Sequence, residues 1–167
     1  MSIDKIIYDI LISDAAVTGL VGSVTSGVAS YKVFPSQAPQ TTQFPFIVFE
    51  VVSTTPTNTK SGASEMDFYR VQVTSLSKTN PNANAIAEAV RGALDYYKDS
   101  QVQNISFQNQ NSGFDNISSQ DGVYLKYQDY LLSLSRSNTP VLEIAYCNTM
   151  AAVCNLIEYT CNEEWFN

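Results

Sequence analysis

The residues that most often perform acid–base and nucleophilic chemistry are scarce in this sequence. Histidine is absent from the 167 residues, which removes the commonest general base, the Ser-His-Asp and Cys-His nucleophile systems and most zinc sites. Carboxylates remain as candidates for paired acid–base work. Glu65 and Asp67 stand two apart on one predicted strand face, and Glu163 and Glu164 are adjacent near the C-terminus. We interpret the first pair as a solvated strand start and the second as part of a charged tail.

Cysteines and tyrosines are the other residues with potential chemistry. Cys147, Cys154 and Cys161 recur every seven residues, and seven residues of helix rise about 10.5 Å, too far for one disulfide or one shared zinc ion. We interpret them as small apolar residues on one helical face. The tyrosines, Tyr96 and Tyr97 among them, lack the interleaved Arg or Lys of a base-stacking surface and are interpreted as packing residues. We therefore predict no enzymatic activity, no cofactor and no metal site.

The composition indicates one globular domain whose surface carries few charges. A chain of 167 residues can bury about 70% of its unfolded surface, so its core needs neither a disulfide nor a metal. Charged residues make up 15% of the sequence, below the usual share of roughly 25%. Asn, Gln, Ser and Thr must therefore cover much of the surface, which suits a protein that packs against neighbours.

Charge and hydropathy argue against several classes of partner. Nine Lys and Arg are spread singly along a chain of net charge −7, so no basic cluster is present to bind the phosphates of nucleic acid. No apolar run approaches the roughly 20 residues of a membrane-spanning helix. The N-terminal sequence MSIDKIIYDI lacks a basic region and a cleavage site. We therefore expect no signal peptide, and a soluble protein made in a cytosol.

The N-terminal half predicts two helical stretches followed by two strands. Apolar residues at helical spacing favour an amphipathic helix with Ser2 as its N-cap: Ile3, Ile6, Ile7, Ile10 and Leu11. A shorter helical stretch follows and ends at Gly22; a polar loop over residues 23–30 then leads to a short extended stretch. Strands are predicted over residues 46–54 and 65–76, the second with clean period-two alternation. They form a hairpin with a mobile tip.

The C-terminal half predicts one helix and two further strands. Asn80 and Pro81 supply an N-cap and a first helical residue. An apolar stripe follows at helical spacing, made of Ile86, Val90, Ala93, Leu94 and Tyr97. A weak strand is expected around Ile105 and Phe107, and a strong final strand after the turn signal Asp121-Gly122.

The apolar residues of the final strand change phase midway. The two sets are Val123, Leu125 and Tyr127, then Tyr130, Leu132 and Leu134. One interpretation is a bulge near Gln128 and Asp129, because one extra residue reverses the alternation and would bring both sets to one face. The alternative is a strand buried on both sides.

These elements predict an α+β fold with a C-terminal extension. The order helix, strand, strand, helix, strand, strand lacks alternating βα units, so we expect a largely antiparallel sheet of about four to five strands with two main helices packed on one face. We place this domain at residues 1–137 and the extension at 138–167. The extension holds every cysteine and the only tryptophan but no Lys or Arg. Its helical stripe is Met150, Cys154, Ile157, Cys161 and Trp165, although VLEIAYC is equally consistent with a strand.

Four motifs follow one another in order over most of residues 3–135: SDAAVTGLVG, VFPSQAPQTTQFPFIVFEVVS, DFYRVQVTSLSKTNPNANAIAEAVRGAL and DGVYLKYQDYLLSLS. As an ordered set they resemble a known family, the tail-completion or tail-terminator-like proteins of tailed bacteriophages. They match a short second helical stretch, a Pro-punctuated lead into an apolar strand, a strand–loop–helix unit and a closing turn and strand. The extension and the Asn/Gln-rich connection before the last strand depart from the family pattern.

The resemblance implies a non-enzymatic structural protein of the virion that forms a ring at the phage neck or tail end, joining portal or connector to tail. Its partners would be copies of itself and neighbouring neck, portal or tail proteins, with DNA only passing through the lumen. The net charge of −7 motivates the separate hypothesis that this lumen is acidic. Hairpin loops and terminal arms bridge rings in such assemblies. The candidate contact residues are Pro56, Asn58 and Lys60 of the hairpin and Met150, Ile157, Trp165 and Phe166 of the extension. The alternative is a cytosolic α+β adaptor or ligand-binding module without a virion role.

Overall fold

Three helices and seven strands make up the part of the chain that the computed structural model describes, residues 2–25, 28–58, 66–115 and 122–135. The helices are α1 (Ile3–Ser13), α2 (Ala15–Val21) and α3 (Asn80–Leu94). The strands are β1 (Gly22–Thr25), β2 (Val28–Tyr31), β3 (Val33–Pro35), β4 (Phe46–Pro56), β5 (Met66–Ser77), β6 (Val102–Asp115) and β7 (Val123–Ser135). The predicted extension, residues 138–167, lies outside the described residues.

The helix boundaries follow from capping groups and one close backbone approach. Asp14 separates α1 from α2, because its carboxylate accepts hydrogen bonds of 2.9 Å from the N–H groups of Ala16 and Val17. α2 ends at Gly22, where a Cβ atom would collide with the carbonyl oxygen of Thr18, so a side chain has no room. The N-cap of α3 is Thr79 rather than the predicted Asn80, one residue earlier.

Five strands form one sheet in the order β3-β4-β5-β7-β6. β3 runs parallel to β4, and all other neighbours are antiparallel. β1 and β2 pair in a separate antiparallel hairpin, so the stretch predicted as a polar loop is largely extended. β6 is also longer than the weak strand that the sequence predicts, because its partner β7 pairs with it over nearly its full length. The predicted α+β class is confirmed.

α1 and α3 pack against one face of this sheet, which we call the helix side, and α2 packs against these two helices. The sheet residues of the hydrophobic core all belong to this face: Val33, Ile47, Phe49, Val71, Val73, Val102, Ile105, Tyr130 and Leu132. The fully buried helix residues that meet them are Ile7, Leu11, Val17, Val21, Ile86, Val90 and Leu94. Residues directly opposite on antiparallel strands share a face, so the register carries this core across β4, β5, β7 and β6.

The interior strand β7, between β5 and β6, has apolar residues on both faces, and the predicted bulge near Gln128 and Asp129 is wrong. Its register against β5 runs without a shift from Ser135 to Tyr124. Even-numbered residues of β7 therefore face the helix side and odd-numbered residues face away. The register shifts occur in other strands instead, between Phe107 and Asn109 of β6, which pairs with β7, and between Val51 and Ser53 of β4, which pairs with β5.

Candidate assembly surfaces

The sheet face opposite the helices, the open face, has no helix of the described residues packed on it. The register assigns to it Val48 and Glu50 of β4, Phe68, Arg70, Gln72, Thr74 and Leu76 of β5, Asn109 and Asn111 of β6, and Leu125, Tyr127, Asp129 and Leu131 of β7. One corner is covered by the Pro-rich lead into β4. There Phe44 stacks on Phe46 with ring centroids 5.0 Å apart, and Phe34 meets Phe46 edge-on at 6.4 Å.

The open face is more apolar than the solvated side of an antiparallel sheet usually is. Such a sheet normally alternates apolar residues on the core face with polar residues on the other. Here Val48, Phe68, Leu76, Leu125 and Tyr127 are each half-buried, and the side of β7 that faces away from the helices also carries Leu131, 37% exposed. Apolar residues together with an exposed arginine on one protein surface are typical of an interaction site, which makes this face the leading candidate.

A buried carboxylate lies within the open face. The Asp129 side chain is 7% exposed and accepts hydrogen bonds of 2.9 Å from Arg70 Nη2 and 3.1 Å from Gln72 Nε2. Burial raises the pKa of this carboxyl, but hydrogen bonds from Arg70, Gln72 and Asn109, with the positive charge of Arg70, outweigh burial and hold the pKa below its ordinary value. The Arg70 side chain stays 51% exposed and is therefore accessible to a partner.

Replacement of Asp129 by Asn is expected to remove a pH-dependent part of the stability. Because the native pKa lies below the unfolded value of 3.8, the carboxylate stabilises the fold above that value, and this contribution is lost as pH falls through the native pKa. We expect Asp129→Asn to lose about 1–3 kcal/mol of unfolding free energy near neutral pH. Its stability should then decline less than that of the wild type in acid.

Urea unfolding at a series of pH values from neutral down to below the carboxyl pKa measures this difference. Glu50→Gln is the matched control, because it makes the same carboxyl-to-amide change at an exposed position of the same face. Parallel profiles for the wild type and Asp129→Asn would contradict the assignment of a lowered pKa to Asp129.

The described carboxyl and hydroxyl groups with shifted pKa values have structural roles. The N–H groups of Val102 and Gln101 each donate to the Asp99 carboxylate at 2.7 Å. The Val102 bond is the main reason that the pKa of Asp99 is lowered despite partial burial, the opposite of what a general acid requires. Burial raises the pKa of Tyr130, which keeps its hydroxyl protonated. Within the described ranges no cluster of three His, Cys, Asp or Glu side chains is placed to hold a metal ion.

The sequence model of the family described as Tail completion protein gp17 matches residues 5–120 of this chain. The chain belongs to this family. It also shares its fold with a chain in a solved structure titled "Virion of native gene transfer agent (GTA) particle", with a TM-score of 0.58, 15% identity, and coverage of 80% of this chain and 96% of that chain. None of the curated proteins compared with the chain matches it.

Family membership makes this tail completion protein a structural component of a phage-like virion tail, and the predicted resemblance is confirmed. Among the helices that the structure describes, none combines the length and apolarity needed to cross a bilayer. The match ends before β7, so the strand that contributes most apolar side chains to the open face lies outside it.

The contact residues that the sequence predicts for this tail completion protein fall mostly in undescribed parts of the chain. Pro56 ends β4 and Asn58 follows it, both exposed at the end of the β4–β5 hairpin. The others, Lys60, Met150, Ile157, Trp165 and Phe166, lie outside the described residues, as does Glu65 of the carboxylate pair. Asp67, the other carboxylate of that predicted pair, is buried, so the interpretation of Asp67 as part of a solvated strand start is wrong. Sequence reasoning did not identify the open face. The feature that indicates it is the change of apolar phase in β7, because apolar residues of both parities lie on both faces of a continuous strand.

Proposed function

We propose that this tail completion protein forms a homo-oligomeric ring at the neck or tail end of the virion, where it joins the portal or connector to the tail. The observation that carries the proposal is the open face, an apolar sheet surface without a helix on it among the described residues. A ring arises when such a surface packs on a different surface of the next copy and the rotation closes. Family membership in the tail completion proteins supports this role.

The chemistry of the open face suits a protein interface. Arg and aromatic residues are enriched at the centres of interfaces, and here Arg70, Phe68 and Tyr127 share one face. A stable interface removes about 800 Å² per partner from water, an area that a four-stranded sheet face supplies. The Arg70–Asp129 pair holds the guanidinium in place before a partner arrives, which lowers the entropic cost of ordering it.

The role is non-catalytic, and DNA is a passenger rather than a ligand. A net charge of −7 with few dispersed cations disfavours binding to phosphates, and acidic groups lining a ring would let duplex DNA slide past. The protein acts in the virion after synthesis in the bacterial host cytoplasm. The lowered pKa values of Asp99 and Asp129 agree with structural carboxylates.

The hairpin end and the C-terminal extension complete the proposed contacts with neighbouring neck, portal or tail proteins. Pro56 and Asn58 are exposed beyond the sheet, and Lys60 follows in sequence. The extension, residues 138–167, carries four Glu but no Lys or Arg, together with Met150, Ile157, Trp165 and Phe166. Large apolar and aromatic side chains are the usual anchors of interfaces, so we assign these residues to partner contacts.

Particle composition tests the proposal. We expect the full-length chain to be present in purified particles by mass spectrometry and to form rings in electron micrographs. A chain lacking residues 138–167 should keep the circular dichroism and cooperative unfolding of the domain but fail to enter particles. The full-length chain supplied in trans is the control. Absence of the full-length chain from particles would favour the cytosolic adaptor, and unfolding of the truncated chain would assign the extension to the core.

A further inference from the structure

The outer edge of β6 is covered along its first half only. β6 is the last strand of the sheet, and the turn after α3 runs beside it. Tyr96 N–H donates to the carbonyl of Ile105, Ile105 N–H donates to the carbonyl of Tyr97, and Phe107 N–H donates to the Asp95 carboxylate. Beyond Phe107 no described residue bonds to the outer backbone of this strand. We call residues 109–114, whose outer backbone no described residue covers, the free edge.

The alternation of the antiparallel ladder identifies the backbone groups that point outward. The backbone N–H and C=O groups of Ile105 point away from the sheet, whereas those of Ser106 point toward Leu131 of β7. The odd-numbered residues of β7 are therefore the ones that bond to β6. After the one-residue shift at Phe107, Asn109, Asn111 and Gly113 oppose odd-numbered residues of β7. The N–H and C=O groups of Gln110, Ser112 and Phe114 therefore point away from the sheet.

This edge lacks the features that prevent strands from pairing between molecules. Proteins protect edges with charged residues, proline, bulges or very short strands. The other side of the sheet has three of these: β3 has only three residues, and the free end of β4 has an irregularity after Val51 and ends in Pro56. By contrast, β6 contains no charge and no proline from Val102 to Phe114, and its register does not shift after Asn109.

The free edge is also held in an extended conformation before any partner arrives. On the helix side Gln128 Nε2 donates to Gln110 Oε1 at 2.9 Å and Lys126 Nζ donates to Ser112 Oγ at 2.8 Å. The rings of Phe114 and Tyr124 pack with centroids 4.9 Å apart. These contacts across β6 and β7 fix three successive outward residues, so a docking strand would meet an ordered ladder.

We propose that the free edge of β6 pairs antiparallel with the same edge of a second copy of this chain, about a two-fold axis at Ser112. In that register Ser112 faces its own counterpart and Gln110 faces Phe114 of the second copy, so each outward N–H and C=O finds a partner. Two chains of net charge −7 repel each other, and an uncharged strand is where they can approach most closely. The contact is isologous and uses neither the open face nor the ring interface, so it stands apart from the proposed ring.

Charge placed at the two-fold axis tests the pairing. Ser112 is exposed on the helix side, away from the open face, and its side chain would lie directly opposite its counterpart, where like charges repel. We expect Ser112→Lys alone, and Ser112→Glu alone, to halve the mass of the full-length protein in light scattering. An equimolar mixture of the two variants should restore it, which excludes misfolding. Gln103→Lys, on the covered half of the same strand, should leave the mass unchanged.

A disulfide tests the register. In a chain carrying Cys147→Ser, Cys154→Ser and Cys161→Ser, we expect Ser112→Cys to form an intermolecular disulfide on oxidation, because paired strands bring opposite Cα atoms within disulfide range. Thr54→Cys, on the free part of β4, should stay reduced. An unchanged mass for Ser112→Lys would overturn the proposal. A reduced mass without cross-linking at Ser112→Cys would also overturn it, in favour of a strand from a different surface or protein.

Discussion

Leu131→Glu is expected to abolish ring formation and incorporation into particles while the protein stays folded. Leu131 lies on the open face, 37% exposed, directly opposite Arg70 on β5. A glutamate there stands across from a guanidinium, a favourable cross-strand pair, so the isolated subunit keeps its fold. In the assembled ring the same carboxylate would be buried against apolar surface, where an imperfectly paired charge is costly. Negative-stain microscopy and particle mass spectrometry measure the loss.

Leu20→Glu is the matched control for this substitution. Leu20 is also 37% exposed, but it belongs to α2 on the helix side. The same chemical change at the same exposure should therefore leave rings intact. Thermal unfolding of the two variants at dilution separates folding from assembly. Normal rings from folded Leu131→Glu would contradict the assignment of the open face to the ring interface.

Leu132→Ala is expected to destabilise the domain by about 2–5 kcal/mol, the range for a large-to-small change at a fully buried aliphatic residue. Leu132 is fully buried in the core, on the helix side of β7. Truncation leaves a cavity between the sheet and the helices that the packed neighbours fill only in part. Urea unfolding of the dilute protein measures the change as a lower midpoint with an unchanged slope.

The variant Leu125→Ala tests the register of β7, because a bulge near Gln128 and Asp129 would bring this residue to the face of Leu132. In the continuous register the Leu125 side chain points to the opposite face, and we expect its truncation to cost about 1 kcal/mol or less in the isolated subunit. If β7 had a bulge that turned both residues to the helix side, the two variants would cost about the same. Comparable losses would therefore contradict the continuous register.

Local patterns predicted most of the elements, because each depends on nearby residues. The apolar spacing of α1, the glycine that ends α2 and the alternation of β5 all appear in the structure. The errors came where short polar stretches became extended through pairing. β1 and β2 are hydrogen-bonded to each other, and β6 extends to Asp115 because β7 supplies a partner. Gly, Ser, Asn and Gln are interspersed among the strand-forming residues of these segments, so local reasoning favoured loops.

The candidate site was the harder part to predict. Sequence reasoning placed contacts at Pro56, Asn58 and the extension, whereas the described structure points to Arg70, Leu131 and the free edge of β6. Arg70 and Asp129 are far apart in sequence, and only strand pairing brings them within 2.9 Å. The free edge depends on strand order, because β6 precedes β7 in sequence yet lies at the border of the sheet.

The sequence by itself determined the family, the α+β class, the absence of histidine and a surface poor in charge, since these depend on residue identity and local order. Two sets of apolar residues of opposite parity in the last strand were visible there too, but their meaning was not. Only the tertiary structure decided that β7 is continuous, because register is set by hydrogen bonds to β5 and not by β7 alone. It thereby placed one apolar set under the helices and left the other on a face that we assign to a neighbouring subunit.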